Sequence, residues 1–125
     1  MEWTPDVCWD ADITVSAENT TSGTMAVAVQ LKDYAGNDMT VKSTILSYFA
    51  TDATGDVILT TAFDGIANGT DGEVIELITG STMLLTSESD GDIDITISES
   101  EAFTGYLILV MPNGKLVASG ACTFV

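Results

Sequence analysis

Apolar and polar residues alternate with a period of two along most of this chain. In "TMAVAVQLKD", Met25, Val27, Val29 and Leu31 fall on one face while Ala26, Ala28, Gln30 and Lys32 fall on the other, the pattern of a strand with one face in a core. Comparable segments at 13–17, 43–52, 56–62, 73–79, 82–88, 92–98, 105–111 and 115–125 are rich in Val, Ile, Leu, Thr and aromatic residues, which favour strands. No stretch carries a helical stripe.

Between these segments lies turn chemistry: "YAGND", "TGD", "NGTDG", "SDGD" and "PNGK". Asn113-Gly114, between two apolar runs, predicts a hairpin with a type I′ turn joining the last two strands. Short strands with a turn every 8 to 12 residues predict an all-β chain folded as an antiparallel sandwich of about seven to nine strands. Pro5 and Pro112 fall at the edges of elements, where a sheet tolerates them. No repeat or linker interrupts the pattern, so residues 13–125 read as one sandwich domain. Residues 1–12 form a lead-in or arm. That arm holds Trp3, Val7 and Trp9, whose apolar area calls for burial against the chain's own core or against a neighbouring subunit.

Composition narrows the chemistry. The chain has 125 residues, 46% of them hydrophobic, and a formal net charge of -16. That apolar content separates it from disordered acidic tails. There is no histidine and no arginine. Ser-His-Asp and Cys-His pairs, histidine-ligated zinc and arginine clamps on phosphate are therefore excluded. With three lysines against nineteen acids, nucleic acid is not an expected partner. The longest apolar run, "YLILVM", is far too short to cross a membrane as a helix. The opening "MEWTPDVCWD" has neither the basic nor the apolar region of a secretory signal, and the expectation is a soluble protein. Cys8 and Cys122 have no metal-ligand spacing and are expected to be free and buried.

"SESDGDIDITISES" concentrates acids: Glu88, Asp90, Asp92, Asp94 and Glu99. As a strand over 92–98 it sends Ile93, Ile95 and Ile97 to the core and Asp92 and Asp94 to solvent, after a turn at Asp90-Gly91. The glycine precedes the alternating acids, so the calcium-loop pattern fails, and no metal or other cofactor is expected. Carboxylate pairs serve glycosidases, but a small sandwich offers little room for a deep cleft, and no catalytic residue is assigned. Tyr34, at the tip of "YAGND", is expected to cover the end of the sandwich; the alternative is that it serves, with the loops around Asp71 and Asp90, as the candidate contact for a glycan or host surface. In "GYLILV", Tyr106 opens a buried strand as in the tyrosine corner of immunoglobulin-like domains, which gives it a structural role.

The segments "VAVQLKDYAGND", "NGTDGEVIELITGSTMLLTSESDGDIDITISES" and "GYLILVMPNGKLVASGACTFV" resemble a group of small immunoglobulin-like proteins encoded among the virion structural genes of tailed bacteriophages. The resemblance covers roughly residues 25–125 and leaves the first 24 outside it. It implies an immunoglobulin-like sandwich and a non-enzymatic virion component. That component would be a decoration or cement protein on the outer surface of the phage head, made in the host cytoplasm and bound to the major capsid protein or other virion proteins. An accessory domain of the tail is the alternative. It supplies no catalytic residues. Homo-oligomerisation is expected of a decoration protein that follows local capsid symmetry.

Overall fold

The computed structural model describes residues 7–125, and Trp3 lies outside them. Nine strands form among the described residues: β1 (Asp10–Val15), β2 (Thr24–Lys32), β3 (Thr44–Ala50), β4 (Gly65–Asn68), β5 (Glu73–Ile78), β6 (Thr82–Thr86), β7 (Asp92–Ser98), β8 (Phe103–Val110) and β9 (Leu116–Phe124). They pair antiparallel into two sheets, one in the order β1-β2-β7-β4 and the other β5-β6-β3-β8-β9. The fold is an all-β, immunoglobulin-like sandwich: the alternation predicts the antiparallel sandwich, and the family resemblance its immunoglobulin-like character.

The core lies between the sheets and is built from the apolar face of each strand. Met25, Val27, Val29 and Leu31 of β2 and Ile93, Ile95 and Ile97 of β7 are buried on one side, and Ile45, Phe49, Met83, Leu85, Leu107 and Leu109 on the other. Phe63 stands in an aromatic cluster, with ring centroids 4.8 Å from Phe49, 4.8 Å from Phe103 and 5.7 Å from Phe124. Edge-to-face contacts of this kind add to the area each ring removes from water. Cys8 and Cys122 are free and buried.

Two elements differ from the sequence pattern. The segment 56–62 is not a strand. β6 already occupies that edge of β3: at Phe49 the amide donates to Ser81 O, 2.9 Å, and only the Phe49 carbonyl is left to accept from Leu59 N, 3.0 Å. The segment makes a single bridge, Ala50 with Ile58, and then turns inward to bring Phe63 to the core. β4 has no visible signal in the sequence. Its four residues include Gly65, Ala67 and Asn68, weak strand formers, and only Ile66 is buried. β1 begins at Asp10, three residues before the predicted segment.

The β8–β9 hairpin forms as predicted, but its turn is not type I′. Among the described residues, positive φ is confined to glycines, so Asn113 cannot occupy a left-handed position. Instead Gly114 N donates to Met111 O and Met111 N to Lys115 O, both 2.9 Å, with Gly114 at φ 87°. This is a three-residue loop: Pro112 presets the first turn position, Asn113 takes the second and glycine the left-handed third. The same bonding recurs at Ser89-Asp90-Gly91 and at Tyr34-Ala35-Gly36.

Candidate interaction face

The two outward faces of the sandwich differ in chemistry. On the four-stranded sheet, register places Asp12, Gln30 and Asp92 in one row, Thr14, Ala28 and Asp94 in the next, and Ala26, Thr96 and Ala67 in a third. This face is made of carboxylates, hydroxyls and small side chains.

The five-stranded sheet carries the opposite. Ile75 pairs with Leu84, Leu84 with Leu46, Leu46 with Val110 and Val110 with Leu116, so one unbroken aliphatic row crosses all five strands. The row faces away from the core, since the alternate residues Ile45, Met83, Leu85 and Leu109 are the buried ones. Ile75 is 55% exposed, Leu46 41% and Leu116 44%, while Leu84 and Val110 are half-buried. A bulge between Glu76 and Ile78 leaves Leu77 and Ile78 exposed as well.

A hairpin tip over residues 51–57 borders the row. Tyr48 donates its phenol proton to the carbonyl of Gly55, which seats the tip against Ile108 and Leu116. Ile58, bridged to Ala50, adds a further exposed aliphatic side chain. Two acids sit on the tip. Thr54 donates its amide to Asp52 at 3.0 Å and its hydroxyl at 2.5 Å, and these bonds, the hydroxyl's first, lower the carboxyl's pKa. Asp56 also accepts the Thr54 hydroxyl. At the far end of the face Glu73 shares a row with Thr86 and Thr44. The aliphatic row itself holds no charge.

The acids of β7 form a second feature. Asp92 and Asp94 face outward as predicted but are half-buried, because the loop between β4 and β5 crosses them. Asp94 N donates to Asp71 O at 2.8 Å, Gly69 N donates to Asp94 O at 2.7 Å, and the Thr70 hydroxyl donates to the Asp94 carboxylate. Carboxylate oxygens of Asp71, Asp92 and Asp94 come within 4.8 Å of one another. Burial, then a hydrogen bond with Asp71, then the charges of Asp94, Asp71 and Asp90 push the Asp92 carboxyl up to about 6. Three carboxylates give a hard cation only part of the six to eight oxygens that calcium takes.

The remaining sequence candidates are scattered. Val7 is exposed, and Trp9 and Tyr34 line one shallow cavity at the end of the sandwich with Asp33 and Asn113; Asp71 and Asp90 are not among its lining residues. Asp90 is exposed in its turn. Tyr106 is half-buried on the outward face of β8, between Ala50 and Ala121. A tyrosine corner is marked by a phenol-to-backbone hydrogen bond, and among the described residues that bond is made by Tyr48 and not by Tyr106. The aliphatic row was not among the sequence candidates. Each of its residues sits beside a core residue in sequence, and only strand register aligns them.

No protein-family model matches the chain, and no curated protein matches it. A solved structure similar to it is a cohesin module from a family 33 glycoside hydrolase of Clostridium perfringens ATCC13124, at 12% identity and a TM-score of 0.47, covering 94% of each chain.

Proposed function

We propose that this chain is a non-enzymatic structural module of a phage virion, most simply a decoration protein of the head, that seats its five-stranded sheet on a protein partner and turns its acidic four-stranded sheet to solvent. The aliphatic row Ile75–Leu84–Leu46–Val110–Leu116 carries this reading. A contiguous apolar stripe on one face of a water-facing sandwich is the feature that marks interaction surfaces, whereas single exposed apolar residues do not. The virion setting rests on the sequence resemblance.

Charge selects the kind of partner. With a net charge of -16, and Glu73, Asp52 and Asp56 around the stripe, the complementary surface is aliphatic at its centre and bordered by lysine or arginine, as a capsid lattice subunit can be. The acidic sheet favours spacing of many copies from one another and from DNA.

The test is electron microscopy of intact particles assembled with the chain and with Leu46→Asp. The expected result is density on the head surface with β5, β6, β3, β8 and β9 toward the lattice, and loss of that density in the variant. Absence from particles removes the virion reading. Attachment through the four-stranded sheet, or full occupancy by the variant, removes the face.

A further inference from the structure

Three loops converge at one end of the sandwich and line a shallow, open cavity of about 250 Å³ with Trp9, Asp10, Asp33, Tyr34, Gly36, Asn113 and Lys115. The lead-in to β1, the β2–β3 turn and the β8–β9 turn each contribute, and the Trp9 backbone amide donates a hydrogen bond to Lys32 O at 2.9 Å. Two aromatic side chains, 36% and 60% exposed, thus meet on one concavity instead of closing over the core.

The polar lining is ordered. One carboxylate oxygen of Asp33 accepts the amides of Ala35 at 2.9 Å and Asn37 at 3.0 Å, which leaves its other oxygen as an acceptor. Asn113 Oδ1 accepts Lys115 N at 3.1 Å, which leaves its amide NH2 as a donor. Lys115 Nζ lies 3.1 Å from Asp10 Oδ2, so these two charges offset each other.

Aromatic faces beside a planar acceptor and a planar donor suit a ligand with an apolar C–H face and a rim of hydroxyls. Asp10 is offset by Lys115, so Asp33 leaves the lining net negative and an anion is repelled. An organic cation is the competing ligand, and the free Asp33 oxygen and Asn113 NH2 together match the hydroxyl rim of a sugar. At about 250 Å³ the space is below the range of ordinary ligand pockets, about 300–1,000 Å³, so it holds one small ring. We infer that this end of the sandwich binds a single neutral saccharide ring, stacked on Trp9 and Tyr34 and hydrogen-bonded by Asp33 and Asn113. This site is separate from the aliphatic face and does not depend on it.

The test is an NMR titration of the full chain in a Trp3→Phe background, so that the remaining indole signal reports Trp9. The probes are glucose, galactose, mannose and N-acetylglucosamine, with choline and inorganic phosphate as the charged comparison. The expected result is a saturable shift of the Trp9 indole by at least one sugar in the millimolar range, weakened about tenfold by Tyr34→Ala. No saturable shift with any sugar overturns the inference, as does saturation by choline or phosphate alone. Unchanged sugar binding in Tyr34→Ala overturns the site. Tyr34 is exposed, so an unaltered amide spectrum elsewhere in that variant is expected and separates lost binding from lost fold.

Discussion

The Phe63 amide donates to Gly80 O at 3.1 Å, and a Cβ built on Gly80 would lie 1.9 Å from the Phe63 carbonyl oxygen. Gly80 also sits at φ 67°, a left-handed conformation that side chains resist. Gly80→Ala must therefore push Phe63 off its place in the aromatic cluster. It is expected to cost at least about 2 kcal/mol from backbone strain and repacking, and Phe63→Ala about 3–5 kcal/mol. Urea unfolding checks both, as a lower midpoint with an unchanged slope.

That contact also marks what the sequence leaves hidden. Alternation places the strands and their core faces wherever apolar residues recur at every second position, as in Met25 to Leu31 or Ile93 to Ile97. Phe63 follows an alternating run, yet it reaches the core from a loop, because β8 takes one edge of β3 and β6 takes most of the other. β4 is missed because Ile66 is its single buried residue and no period can be read from one position. The aliphatic row and the Asp71–Asp92–Asp94 cluster are properties of register and of a loop crossing a strand. The spacing along the chain encodes neither.

The acid cluster sets a pH dependence. Asp92 keeps its proton up to about pH 6 in the folded chain but releases it near the ordinary value of 3.8 when unfolded. Between those values the folded state binds more protons, so this group's contribution to stability is full below about pH 4, falls as pH rises toward 6, and is lost above it. Solvent screening at this half-buried site reduces the effect to about 1 kcal/mol. Asp92→Asn is therefore expected to raise stability over the parent chain by about 1 kcal/mol at pH 7 and by nothing at pH 4. Thermal melts in chelator at the two pH values read the difference; an equal gain at both would mean that the repulsion is absent.

Both thiols are held out of reach. Burial raises the Cys8 and Cys122 pKa values against smaller lowering contributions from hydrogen bonds, and the thiolate is the reactive form. Alkylation of either cysteine is expected to wait on opening of the fold. Its rate should rise with sub-denaturing urea in parallel with the population of the open state. Rapid labelling of Cys8 in the native chain, with Cys122 unreacted, would show that the entry to β1 opens by itself.

Ile45 and Leu46 are neighbours in β3 with opposite duties. Ile45 is 3% exposed within the core and Leu46 is 41% exposed in the aliphatic row. Truncating Ile45 to alanine empties close-packed space, with an expected cost of about 2–5 kcal/mol. Leu46→Ala removes a side chain already partly in water and is expected to cost under about 1 kcal/mol. If the row is a seat for a partner, the order reverses in the assembled state. Leu46→Ala then lowers occupancy on the particle while the isolated domain melts almost as before, because interface energy concentrates in such central apolar contacts. Denaturation of the free domain beside occupancy of the assembled one separates the two. A Leu46→Ala variant that loses several kcal/mol when free would make the row a structural belt of the sheet and not a docking surface.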